Sequence, residues 1–312
     1  MKANDILCCV GSAAALLLAS ALIPFVGPLL SLLTPIPFLF YATKLGLKEG
    51  VKLAALTTVI LGALAALTGQ VQVMIFCVEL ALLGLLLSEL FRRGLGLGQT
   101  IFWATAFLLL LGLTMLYAMS SSKDMGPIEM VLHYLQSHLD ASIHAYEQMG
   151  ISEQQIQELK AYSKAFMGTI SNIYPALSVI GTGFAVWFNV MVARPLFRFR
   201  HLPYPDFGPA DRWRAPENLV WVLIASGFAL FLTDGIIKLW AINALIILMA
   251  VYFFHGLSIM LFFMNRYRLP SWIRIGIYFF IIIQKVFVLA CALAGLFDQW
   301  IDLRKIHRRI QR

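Results

Sequence analysis

The stretch Val71–Arg93, VQVMIFCVELALLGLLLSELFRR, decides the class of this protein. At about 1.5 Å per helical residue its apolar run crosses most of a hydrocarbon core, so Phe76 to Leu87 reads as a membrane span. Glu79 falls about 12 Å past Val71 and hence inside the slab, where an ionisable side chain is costly unless paired or hydrated. Glu89 differs, because Arg92 and Arg93 stand three and four residues later, on the same helix face at the interface.

The whole chain agrees. Apolar residues make up 60% and charged ones 13%, with a mean hydropathy of +0.82, whereas soluble domains carry about 25% charge. The expected fold is all-α: a polytopic α-helical membrane protein of about 8–9 transmembrane helices with an outer two-helix insertion. The net charge of +8 comes from basic residues in short loops, which orient helices and do not argue for nucleic acid. Cys8, Cys9, Cys77 and Cys291 lie in apolar runs without metal or disulfide spacing and read as small core residues.

Ile6–Ile23 reads as a retained first span, since apolar sequence continues past the small-residue site Ala19-Ser20-Ala21. Gly11, Ala15 and Ala19 form a flat face that a neighbouring helix can approach. Prolines 24, 28, 35 and 37 then lead into a short second span, Pro37–Leu45, and Lys44, Lys48 and Lys52 mark a cytoplasmic turn. Val51–Leu67, Val71–Leu90 and Ile101–Met119 follow as alternating spans. Ser120–Thr169, with three lysines against six acids, is expected outside. It opens with an amphipathic helix from Pro127, and a second helix is announced by a Ser152/Gln155 capping box with an Ile151/Ile156 staple. His133, His138 and His144 cannot share an ion from one helix, and Pro175 is expected to kink the entry to a sixth span, Ala176–Ala193.

The stretch Arg194–Glu217, with five arginines and five prolines, suits anionic headgroups. Three apolar runs complete the chain: Leu219–Leu232, Leu239–Met264 and Trp272–Phe297, the last with Gln284 and Lys285 at its middle. Nine crossings from an inside N-terminus strand the basic tail, Arg304 to Arg312, outside. Either the tail is an exception, or Leu219–Leu232 does not cross and the last two spans are inverted. The linear division is a six-helix bundle over 1–193, a basic loop over 194–217, membrane helices over 218–297 and a tail over 298–312.

Two resemblances follow. The runs GLFDQWIDLRK (Gly295–Lys305) and HGLSIMLFFMNRYRLP (His255–Pro270) resemble the YybS-type family of uncharacterised bacterial membrane proteins, domain of unknown function 2232. Thr34–Gly69, with a proline-led short helix and the turn KLGLKEG (Lys44–Gly50), is similar to S components of energy-coupling-factor transporters, as is the spacing of Ala15 and Ala19. That second likeness implies capture of a small molecule from outside and a helix-one face against a coupling subunit. The outer insertion and three extra spans depart from it.

Three functions are weighed. The first is a transporter-like, non-enzymatic binding subunit with a ligand site at Glu79, Gln72, Tyr117, Asn172 and Tyr174. Intramembrane polar residues Glu79, Gln284 and Lys285 are then structural or functional, and Glu79 and Lys285 are expected to pair. The second is an envelope accessory or assembly scaffold. The third is a lipid-phosphate enzyme in which Asp298 and Asp302 share a divalent ion, but the acids and arginine that a phosphatidyltransferase pattern requires on the preceding helix are missing. No cofactor and no metal site is expected. The expected partners are the lipid bilayer and other membrane subunits, with no nucleic acid, and the expected location is the bacterial cytoplasmic (inner) membrane.

Overall fold

The computed structural model describes residues 2–22, 27–67, 71–121, 125–232 and 234–304, without the side chains of 20–22, 28 and 71–74. Among these residues there are helices and no strand, as the all-α expectation requires. Contacts divide the chain into two compact units, Met1–Met130 with Gly181–Asp206, and Val131–Ile180 with Phe207–Arg312.

The first unit holds α1 (Ala3–Leu22), α2 (Gly27–Ser31), α3 (Pro35–Leu45), α4 (Leu47–Leu67), α5 (Val71–Arg92) and α6 (Leu97–Ser121). Its core joins Cys9 and Ala13 of α1, Phe38 of α3, Leu53, Ala54 and Leu61 of α4, and Cys77 and Ala81 of α5. Helix α3 corrects the expected second span. Pro35 starts it and Gly46, at φ +85°, ends it, leaving 11 residues, or about 16 Å, too short to cross a bilayer. It is instead a buried strut, with Pro35, Ile36, Phe38, Leu39 and Ala42 all covered. Gly84 of α5 makes this possible, since a Cβ there would come within 2.6 Å of Phe38 Cβ and the Pro35 carbonyl oxygen.

Helix α5 is continuous over 22 residues, and Glu89 meets Arg92 and Arg93 at 3.0 and 3.1 Å as its spacing predicts. The basic turn is tied down by Lys44 to Asp5 and Lys52 to Glu49, each at 2.7 Å. Further along, Phe197 packs edge-on against Phe40, Phe91 and Tyr204. Tyr204 donates to the Val190 carbonyl, and burial pushes its hydroxyl up to about 12 despite Arg194.

In the second unit, α7 (Pro127–Gln148) and the start of α8 (Glu153–Phe199) form the expected hairpin. Half of the capping box is made: the Gln155 amide donates to Ser152 Oγ at 3.5 Å, while Gln155 Oε1 accepts from the Ser152 hydroxyl at 3.0 Å instead of from its backbone N–H. Lys160 and His144 both reach Glu147 at 2.9 Å and hold its carboxyl below the ordinary carboxylate range. Helix α8 runs unbroken for 47 residues through Pro175. A side-chain amide mends the backbone there: Ala176 N–H donates to Asn243 Oδ1 at 2.9 Å, and Asn243 Nδ2 donates to the Asn172 carbonyl at 2.8 Å. Buried Asn243 thus replaces a helical bond beside a residue that has no N–H.

The unit continues with α9 (Leu219–Leu232), α10 (Ile236–Arg266), α11 (Ser271–Ile283) and α12 (Lys285–Ile301). The run Trp272–Phe297 is not one straight helix. It breaks at Gln284, where the backbone turns extended and the two halves bend by 103°. Among the described residues four helices, α4, α6, α8 and α10, are long and apolar enough to cross, or five with the bent pair. The 18 residues of α5 whose side chains are described hold three charged ones, Glu79, Glu89 and Arg92, whereas each of these four helices has a stretch of 18 with no more than two. Helices α10 and α12 run antiparallel in backbone contact: a Cβ on Gly256 would overlap the Cys291 carbonyl, and one on Gly295 the Tyr252 carbonyl. Gly295→Leu should therefore destabilise the detergent-solubilised protein by about 1–3 kcal/mol or more, whereas Gly227→Leu, with open space around it, should leave thermal unfolding nearly unchanged.

Candidate functional site

The densest chemistry lies in the second unit, where the loop 207–216, α10 and the end of α12 converge. His255 and Ser258 stand one turn apart on the buried face of α10, and Asp298 occupies the last turn of α12. At Asp302 the chain turns left-handed, φ +44°, folding Leu303 and Arg304 back onto the cluster. The short polar side chain of an aspartate tolerates this conformation better than most residues. The Leu303 amide donates to Asp298 Oδ1 at 2.7 Å.

Arg304 is wholly buried at the centre. Its NH1 donates to the Asp211 and Trp213 carbonyls and to Ser258 Oγ at 2.9, 3.1 and 3.1 Å. Its NH2 lies 3.0 Å from Asp298 Oδ2 and 3.0 Å from His255 Nε2, which accepts in the tautomer that carries its proton on Nδ1. His255 Nε2 and Asp298 Oδ2 are themselves 3.2 Å apart. Trp213 sets the edge of the pocket, its ring 6.1 Å from that of His255. A second guanidinium, that of Arg214, bonds Asp302 and reaches within 4.0 Å of Asp298. A small apolar core of Ala215, Leu248 and Tyr252, with Leu219, Leu223 and Leu296 against it, shares Trp213 with the cluster.

Buried charges require such pairing, and this arrangement supplies it with atoms to spare. His255 Nδ1, Arg304 Nε, Arg214 Nε, Asp211 Oδ1 and Gln299 Nε2 are buried without a hydrogen-bond partner among the described residues. Asp298 and Asp302 are each engaged by an arginine, so the carboxylate pair that the sequence offers for a shared divalent ion is a pair of ion-pair partners. Among the described residues no three His, Cys, Asp or Glu side chains come together for a metal.

The residues expected to bind a ligand are distributed differently. Glu79 is half-buried on α5, and its Oε1 faces α6, 3.7 Å from where a Gly112 Cβ would stand. Tyr117, further along α6, is 67% exposed, and the Gln72 side chain lies outside the described residues. Asn172 and Tyr174 belong to the second unit. Asn172 is exposed, its carbonyl taken by Asn243 and its amide by the Gly168 carbonyl, and Tyr174 is half-buried. Gln284 and Lys285 are both exposed at the break between α11 and α12. On α1, Gly11 and Ala15 are exposed and Ala19 half-buried, while the core uses Cys9 and Ala13. An open groove of about 470 Å³ runs along Met260, Trp272, Ile277, Phe280 and Phe287, and its walls offer no charged group.

The residues that the sequence does not single out are Arg214, His255 and Arg304. For His255 and Arg304 the available signal was their place in the two runs that carry the family resemblance, His255–Pro270 and Gly295–Lys305, which the fold brings together at Asp298; for Arg214 it was only its membership of the basic stretch Arg194–Glu217.

Comparison with known proteins agrees with that likeness. The family described as "Predicted membrane protein (DUF2232)" matches residues 12–299. The chain is 22% identical over 289 residues to the "Uncharacterized protein YybS" of Bacillus subtilis (strain 168), covering 90% of each. No solved structure matches.

Loss of the central carboxylate tests the cluster. Asp298→Asn leaves Arg304 buried without its counter-charge and should cost about 3–5 kcal/mol in detergent unfolding. Asp302→Asn, whose partner Arg214 is a quarter exposed, should cost no more than about 1 kcal/mol.

Proposed function

The chain belongs to the DUF2232 family of predicted membrane proteins, and we propose that it is a transporter-like, non-enzymatic subunit of the bacterial cytoplasmic membrane that binds a small molecule at Glu79. The observation that supports this is the state of that carboxylate. It sits half-buried within an apolar helix, against a glycine of the next helix, and among the described residues no hydrogen bond or ion pair engages it. A carboxylate so placed is costly unless it is protonated, hydrated or met by a ligand bearing a cation or N–H donors. The absent side chain at Gly112 leaves room on the carboxylate's own side. The open face of Gly11, Ala15 and Ala19 suits a neighbouring subunit, since small residues let helix backbones approach closely in lipid.

A second reading, an envelope accessory or assembly scaffold, is favoured by the α7/α8 hairpin, which exposes Tyr134, Tyr146, Met149, Tyr162 and Phe166. Partner capture and ligand capture separate the two. Ala15→Leu with Ala19→Leu should abolish co-purification of a membrane partner and leave the fold intact, whereas Glu79→Gln should spare assembly and weaken small-molecule uptake in vesicles. If the α1 and Glu79 variants both keep full partner recovery and uptake, the transporter reading fails. Loss of a partner on substituting Tyr134 and Tyr162 would then carry the scaffold reading.

A further inference from the structure

The cluster around Arg304 is built as a receptor for one particular shape. Its acceptors come from segments 46 to 93 residues away in sequence, together with Asp298 six residues back. Two are backbone carbonyls fixed by the loop 207–216, and two are side chains fixed on α10. These groups serve the two terminal amino groups of a guanidinium, three around one and two around the other. The Nε position, where the arginine stem joins, has no acceptor. A tetrahedral ammonium, whose three donors radiate from a single nitrogen, cannot meet two sets of acceptors placed around the two terminal nitrogens of a planar fork.

The occupant is the second residue after the Asp302 turn. Three interactions hold this strap to the unit: the Arg304 guanidinium, the Leu303 amide on Asp298 and the Asp302 carboxylate on Arg214. Asp298 also has a cation in reserve, since Arg214 already lies at 4.0 Å with a buried Nε lacking a hydrogen-bond partner among the described residues. Withdrawal of Arg304 therefore leaves Asp298 beside a positive charge, and the pocket keeps its acceptors.

We propose that this cluster is a guanidinium-binding pocket occupied in cis by Arg304, so that the C-terminal segment is a removable strap and a guanidinium-bearing solute or arginine side chain is its competing ligand. This site belongs to the second unit and is independent of the reading given to Glu79.

The test uses the full-length protein in detergent, with methylguanidinium chloride at low millimolar concentration as probe and equal ammonium chloride as control. Arg304→Ala should unfold at lower temperature and regain at least half of the loss with methylguanidinium but none with ammonium, because a ligand bound only by the folded state stabilises it by mass action. Adding Asp298→Asn to that variant should remove the response. In the unaltered protein, methylguanidinium should speed hydrogen exchange of the Leu303 amide about tenfold, as the strap leaves Asp298. A merely structural arginine would not give that last effect. Should Arg304→Ala fold only when prepared with methylguanidinium, that supports the proposal equally. Failure to recover it under either condition, equal rescue by ammonium, or unchanged Leu303 exchange in the unaltered protein overturns it.

Discussion

The ion pair between Asp298 and Arg304 is the constraint on which the second unit depends. Two charges with no exposed surface gain little from each other alone, because desolvation consumes most of the Coulombic attraction. The surroundings make the difference: the Leu303 amide on one carboxylate oxygen, and four further acceptors around the guanidinium. Each of those acceptors fixes a segment. The loop 207–216 is held through its Asp211 and Trp213 carbonyls, α10 through His255 and Ser258, and the turn after α12 through Arg304 itself. An irregular proline-rich loop next to apolar helices would otherwise leave backbone carbonyls unsatisfied. Here the guanidinium serves as their donor.

The same economy governs the other irregular points. Where α8 passes Pro175, the buried amide of Asn243 supplies one acceptor and one donor to backbone groups of that turn. Where α10 and α12 cross, glycines bring carbonyls within van der Waals range of the facing helix, and no side chain intervenes. Helices in a bilayer gain little by burying apolar surface against each other, since lipid is equally apolar. Close backbone packing and satisfied polar groups must therefore supply specificity, and in the second unit both lie on α10.

What the sequence revealed was local. The Glu89–Arg92–Arg93 group and the Ser152–Gln155 contact rest on spacings of three or four residues and the helical class on the length of the apolar runs, and the structure shows the ion pairs, one bond of the capping box and the helices. The break in Trp272–Phe297 was partly legible, for Gln284 and Lys285 stood out in an apolar run. Hydropathy alone still counted it as one span, because a window average cannot register one extended residue. Helix α3 was misread for a related reason: apolar content was taken for crossing, when Pro35 and Gly46 limit it to 11 residues. Arg304 was the hardest to place. As a basic residue in a basic tail it reads as a topological marker, and only contacts 46 to 93 residues away give it another role.

Those contacts also bear on the sidedness problem. Counting nine crossings left the tail on the side opposite the basic loop, against the usual bias of short basic segments. With Trp272–Phe297 bent by 103° at Gln284, that odd count no longer follows. Arg304 bonds the backbone of Asp211 and Trp213, so the tail begins beside the part of the basic stretch that holds Arg212 and Arg214. Loop and tail are then expected on one side of the membrane, since a bent run that dips in and returns adds no crossing, whereas a straight helix adds one.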